Sequence, residues 1–157
     1  GQGVSAERGL PAEWSDTKNV RWKVAVPGAG WSSPAIAAGR IWLTTATDEG
    51  RSLRLLGFDV VSGKSQSDVE VFRIKDAGPG IHKKNSFASP TAILSGDSVY
   101  VHYGFYGTAC VSTKGEVQWR QVLKYEPQHG PGGSPALFGD ALFISCDGFD
   151  AQYVVAL

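Results

Sequence analysis

The chain has 157 residues, enough for one domain with a buried core, and 42% of them are hydrophobic against 19% that are charged. That balance, together with 20 glycines, is typical of a compact, turn-rich β protein and argues against disorder. Lysine plus arginine equals aspartate plus glutamate at 15 each, so no net charge attracts nucleic acid or an anionic membrane surface, and no apolar run approaches the ~20 residues of a membrane span.

Residues 1–19 form a lead-in segment, and the first predicted strand spans residues 20–26, which read Val-Arg-Trp-Lys-Val-Ala-Val. The chain holds no methionine and starts Gly1-Gln2-Gly3, so we expect that the native start has been removed. Segment 20–26 resembles the last strand of a sheet whose first three strands are missing. It is therefore predicted to be a lone outer strand.

An internal repeat decides the fold class. Three Ser-Pro segments, with prolines at Pro34, Pro90 and Pro135, stand 56 and 45 residues apart, and the shorter spacing is near the ~40–45 residues of a four-stranded propeller blade. Each is followed by a short apolar strand and a second, aromatic-rich strand. Tight turns join these two strands at Gly39-Arg40, Gly96-Asp97 and Gly139-Asp140. Because no window shows helical periodicity, the sequence predicts an all-β chain.

The repeats predict a β-propeller of four-stranded antiparallel blades, with about three blades present and an incomplete ring. Blades are expected over residues 31–75 and 86–123, and an incomplete blade over residues 132–157. Sheet edges at both ends would be left unpaired, and such edges invite pairing with other strands. We therefore expect the chain to be part of a larger propeller or to self-associate, with segment 20–26 of one copy completing the last blade of another.

Over residues 20–157 the repeat resembles the pyrrolo-quinoline quinone (PQQ)-like propeller repeat. The residues that carry the resemblance are Trp22, Trp119, Ser62-Gly63-Lys64 and Thr113-Lys114-Gly115, while Ser67 stands where a further tryptophan is expected. The lead-in is similar to that of large secreted PQQ-like repeat proteins of environmental bacteria. The resemblance implies a location in the periplasm or outside the cell.

Families with this repeat include quinoprotein alcohol dehydrogenases and a non-catalytic lipoprotein that assists outer-membrane barrel assembly. The dehydrogenases have a vicinal Cys-Cys disulfide and a calcium ligand set. Here Cys110 and Cys146 are far apart, and no Asp-x-Asp-x-Asp-Gly loop occurs. These departures favour a non-catalytic scaffold without a cofactor and without catalytic residues. The alternative is a divergent quinoprotein oxidoreductase that binds PQQ with Ca²⁺. The two cysteines are expected to be buried free thiols, with a disulfide as the alternative.

Propeller topology places the loops that enter each blade, and the loops between its second and third strands, on one face. These loops are long and chemically rich, whereas the turns on the other face are short hairpins. The face predicts a binding site for a protein, peptide or glycan partner. The candidate ligand-binding residues on it are Trp31, His82, Lys84, Asn85, Tyr106, His129, Asp147 and Asp150.

Each candidate also has a purely structural interpretation. His82 and His129 would then only bond loop backbone, and Asp147 and Asp150 would cap a turn. Trp31 would cover the core between blades. Alternatively, the two histidines and two aspartates converge on zinc or manganese, although they lie on different blades and no local spacing enforces the geometry.

Tyr106 is equally consistent with a lid over the core and with a platform for stacking a ligand. His102 alternates with its strand neighbours and is predicted to be structural. A third functional hypothesis, beside the scaffold and the oxidoreductase, is an architectural module with no site of its own.

Overall fold

A computed structural model describes residues 5–75 and 80–157, and these residues form three antiparallel sheets. The first sheet contains β1 (Ala35–Ala37), β2 (Arg40–Thr47), β3 (Ser52–Asp59) and β4 (Ser65–Arg73). The second contains β5 (Ile93–Ser95), β6 (Ser98–His102), β7 (Thr108–Ser112) and β8 (Val117–Gln121). The third contains β9 (Ala136–Phe138), β10 (Ala141–Asp147) and β11 (Gln152–Ala156). Short 3-10 turns at Asp48–Gly50 and Gly104–Tyr106 link the second and third strands of the first two sheets. This is the predicted all-β architecture of an incomplete propeller.

Each sheet begins with the hairpin that the repeat predicted. In the first hairpin Ala37 pairs with Arg40, and the two residues between them, Ala38 and Gly39, have φ values of 50° and 74°. Two consecutive left-handed residues make a tight turn whose twist matches that of the flanking strands. In the other two hairpins Gly96 and Gly139 occupy the first turn position, which Ala38 holds in the first hairpin, with φ values of 55° and 61°.

The sheets pack face to face, and the core lies between them. Alternate residues of the strands point inward, so Trp42, Leu55, Val101 and Tyr103 are buried in one cluster shared by the first two sheets. A second cluster between the last two sheets contains Leu123, Leu142, Ile144 and Cys146. Both cysteines are free and buried, as the sequence predicted.

Segment 20–26, predicted as a lone outer strand, has no residue paired into a sheet in the described part of the chain. A strand requires a hydrogen-bonded partner, and within the described part of the chain no other strand lies beside this segment. The segment is held by a side chain instead: the indole Nε1 of Trp22 donates to the carbonyl of Val60 at 3.1 Å.

The third sheet ends at β11, which pairs with β10 alone among the described strands. Its outward-facing Val154 is 70% exposed. The outer edge of β11 is therefore a row of backbone groups open to a further strand. Among the residues described, no helix has the length and apolar character needed to cross a membrane.

Candidate functional site

Loops that enter neighbouring blades form two clefts on the loop-rich face. The larger, which we call the Trp31 cleft, has a volume of about 660 Å³. Its walls come from the loop before β1, the turn after β2 and the loop before β5. The large apolar and the polar side chains that line it belong to Trp31, Asp48, Glu49, Ile81, Asn85 and Phe87.

Trp31 is held in place by its backbone while its side chain faces solvent. Its N–H donates to the carbonyl of Ala88 at 3.0 Å, and the adjacent Ala29 exchanges two hydrogen bonds of 2.9 Å with Ala46. The side chain is 59% exposed. This exposure favours the interpretation of Trp31 as a ligand-binding residue over a cover for the core between blades. The residue presents a large apolar surface from a fixed backbone.

The turn after β2 contributes two carboxylates that the sequence analysis left out of its candidate residues. Asp48 and Glu49 have φ values of 52° and 55°, a strained conformation for residues other than glycine. Asp48 is 2.6 Å from Arg73, and Glu49 is 2.9 Å from Arg51. Because both carboxylates are paired, their negative charge in the cleft is largely compensated. This turn is the loop between the second and third strands of its blade, which propeller topology places on this face, but nothing in its sequence marks the strain.

The loops that enter the second and third blades meet at two histidines. The rings of His82 and His129 lie edge to face with their centroids 5.3 Å apart. The His82 N–H donates to the carbonyl of His129 at 3.3 Å, and Nδ1 of His82 accepts from the Lys84 N–H at 3.2 Å. These contacts agree with the interpretation that the histidines stabilise the loops. The Lys84 side chain is exposed.

Asn85 joins the same two loops and also lines the Trp31 cleft. Its Nδ2 donates to the carbonyl of His129 at 3.0 Å. Its Oδ1 accepts from the Ser86 N–H at 2.8 Å and from the Ser89 hydroxyl at 2.5 Å. Its carbonyl oxygen and one of its two amide N–H groups thus hold the loop, which positions the wall of the cleft.

The smaller cleft lies between the second and third blades and has a volume of about 180 Å³. We call it the His102 cleft; its polar lining includes His102, Tyr125, His129, Ser145 and Asp147. Burial lowers the pKa of His102 to about 4 and raises the pKa of Tyr125 well above its usual range. Both groups are therefore neutral at ordinary pH.

The remaining two candidates have local structural roles. Oδ1 of Asp150 accepts from the Glu126 N–H at 2.6 Å, so it bonds to the backbone of the loop that enters the third blade rather than capping its own turn. Tyr106 is half-buried and packs against Phe87 and Phe105, with ring centroids 6.0 and 3.9 Å away. Burial also raises the pKa of Tyr106. These contacts favour the core lid over the stacking platform.

The four metal candidates do not form a metal site. Within residues 5–75 and 80–157 no group of three or more His, Cys, Asp or Glu side chains is placed to hold a metal ion. His82 and His129 are neighbours, but Asp150 is engaged with the backbone of Glu126.

Comparison with known proteins defines the fold. No family model and no curated protein matches the chain. Among solved structures, the crystal structure of BamB from Moraxella catarrhalis matches with a TM-score of 0.59 and 19% sequence identity over 82% of this chain. The chain corresponds to 35% of that protein's length. The fold is therefore that of part of a β-propeller.

Proposed function

We propose that this part of the propeller is a non-catalytic scaffold that binds a segment of a protein partner in the Trp31 cleft. The exposed side chain of Trp31 on a fixed backbone is the observation that carries the proposal. Tryptophan is the residue most enriched among those that dominate binding energy at protein interfaces. A rigid backbone lowers the entropy lost on binding. By analogy with the repeat family, the protein would act in the periplasm or outside the cell.

The chemistry of the cleft supports a peptide with an apolar anchor. Trp31, Ile81 and Phe87 supply apolar surface, and the carboxylates of Asp48 and Glu49 are already paired with arginines. A strongly charged ligand would have to displace these ion pairs. An apolar side chain can occupy the space beside Trp31 without breaking them.

Selection of binders from a random peptide library displayed on phage tests the proposal. We expect enriched peptides to share a large apolar residue and to bind Trp31→Ala at least about tenfold more weakly, as expected for loss of a dominant interface residue. Trp14→Ala is the matched control, because Trp14 is 73% exposed in the lead-in and outside the cleft. No enrichment, or equal binding by Trp31→Ala, would overturn the proposal.

The oxidoreductase alternative has a direct test of its own. Titration of PQQ with Ca²⁺, followed by absorbance, should show no saturable binding. Saturable micromolar binding would contradict a scaffold without a cofactor and restore the quinoprotein interpretation.

Self-association is a separate proposal that rests on the unpaired edge of β11 and its 70% exposed Val154. Light scattering should then show a species larger than the monomer. Val154→Lys, which places a charge beside the edge, should return it to monomer. A stable monomer at all concentrations would refute self-association and leave the Trp31 cleft unaffected.

A further inference from the structure

A buried histidine faces the His102 cleft, and its surroundings determine which ring nitrogen carries the proton. His102 is 2% exposed, and its Nδ1 lies 2.8 Å from the Thr108 hydroxyl oxygen. Thr108 is fully buried, and its hydroxyl has no second partner in the described part of the chain. A buried hydroxyl proton needs an acceptor, so it is donated to Nδ1. The proton of the neutral ring is consequently on Nε2.

The Nε2–H group of His102 lacks an acceptor within residues 5–75 and 80–157. The ring lines the His102 cleft, so an acceptor can reach this donor from the cleft. Because this nitrogen is open to the cleft rather than sealed within the core, a molecule that enters the cleft can accept its hydrogen bond in place of water.

The other polar groups of the cleft are of mixed type. The Tyr125 hydroxyl makes no hydrogen bond to any residue that the structure describes, and it is protonated, so it can donate or accept. The exposed carboxylate of Asp147 accepts from the Ser145 hydroxyl at 3.2 Å and has further lone pairs available. Donors and acceptors thus surround one small volume.

This mixture selects against charged ligands. A guanidinium or ammonium group offers donors alone and would leave the His102 Nε2–H unpaired. An anion would approach the Asp147 carboxylate at close range. The volume of about 180 Å³ is below the ~300–1,000 Å³ of pockets for drug-sized ligands, which limits the guest to one small group.

We propose that the His102 cleft binds one pyranose unit of a saccharide, with its hydroxyl groups accepting from His102 and donating to Asp147. Each sugar hydroxyl carries one donor and two acceptor sites, so the hydroxyls of one ring can pair with both the donor and the acceptors that line the cleft. The site is separate from the Trp31 cleft and does not depend on the protein-binding function.

Saturation-transfer NMR with methyl glycosides of glucose, mannose and galactose tests the proposal. We expect saturable millimolar binding of at least one of them, weakened about tenfold by Asp147→Ala through loss of a charge-assisted hydrogen bond. Asp140→Ala is the matched control, because it removes an exposed aspartate from the β9–β10 turn outside the cleft. It should bind like the parent.

The ring nitrogens of His102 provide a second readout that needs no substitution in the core. Nitrogen-15 NMR should show the neutral Nε2–H tautomer, with a shift that moves when the glycoside is added. Observation of the Nδ1–H tautomer would overturn the proposal. So would absence of binding by all three glycosides, or tighter binding of acetamide, which stands for an asparagine or glutamine side chain of a protein. Failure of any of these tests leaves the effect of Trp31→Ala on peptide binding unchanged.

Discussion

Trp22 lies directly on Gly63, so that a Cβ atom at Gly63 would be 2.6 Å from the indole ring. The same indole donates to the carbonyl of Val60 at 3.1 Å. This contact joins the segment before the first sheet to the turn between β3 and β4. It explains why the segment has a defined position although it forms no strand.

Alanine substitutions at Gly63 and Gly39 should separate two losses of unfolding free energy, one from the clash with Trp22 and one from the left-handed backbone conformation. Gly63 has a φ of 71°, and Gly39 has a φ of 74° with open space around it. Gly39→Ala should lower the free energy of unfolding by about 1 kcal/mol, through left-handed strain alone. Gly63→Ala should cost about 2 kcal/mol more, because the ring of Trp22 must move. Equal losses in urea denaturation would mean that Trp22 does not occupy this position.

The buried His102 should make stability depend on pH. Its pKa is about 4 in the folded state and near 6.5 when exposed, so the unfolded chain binds the extra proton between these values. The free energy of unfolding should therefore fall by about 3 kcal/mol as the pH drops from about 6.5 to about 4, and stay constant in this respect outside that window. Urea denaturation across this range measures the slope.

Two controls assign the slope to His102. His102→Phe should remove it, whereas His129→Ala should keep it because His129 is exposed. Asp59 and Glu70 have lowered pKa values, so their protonation changes the free energy of unfolding at lower pH than that of His102. Their contribution to stability is lost as the pH falls below their ordinary values of 3.8 and 4.5. A slope unchanged in His102→Phe would contradict the assignment.

Asn85 should hold the entry loops of the second and third blades together. Asn85→Asp keeps the acceptor for Ser86 and Ser89 but removes the donor to the carbonyl of His129. We expect a loss of about 1 kcal/mol and faster amide hydrogen exchange in both loops. Lys84→Ala, in the same loop but with an exposed side chain, should leave exchange unchanged. Equal exchange in both variants would show that the bridge has no effect.

Replacement of Trp42 by phenylalanine should destabilise the fold less than the complete burial of Trp42 suggests. It is fully buried, and within the described ranges its Nε1 is the one buried side-chain polar atom without a hydrogen-bond partner. Trp42→Phe loses packing but also removes an unsatisfied donor worth about 1–3 kcal/mol, so we expect a net change within about 1 kcal/mol.

Tyr103→Phe provides the comparison for Trp42→Phe. Its hydroxyl donates to the carbonyl of Arg54 at 2.8 Å, so removal breaks a satisfied bond and should cost about 1–2 kcal/mol. A larger loss for Trp42→Phe than for Tyr103→Phe in urea denaturation would show that packing outweighs the unsatisfied donor.

The sequence by itself determined the sheets and the face on which the candidate residues were expected. Gly39, Gly96 and Gly139 predicted three hairpins correctly because a tight turn depends on residues adjacent in the chain. Alternation of polar and apolar residues then indicated which sides of the strands are buried. The same local signals suggested a strand at residues 20–26, where pairing with a distant strand was needed and is absent from the described structure.

Tertiary structure alone decided which side chains of that face contact one another. Residues far apart in the chain meet in the ring contact of His82 with His129 and in the bond from Asn85 to the His129 carbonyl. The contact of His102 with the buried hydroxyl of Thr108 depends on the pairing of β6 with β7. Hydrogen-bond partners and burial are set by the packing of whole blades, and no local pattern encodes that packing.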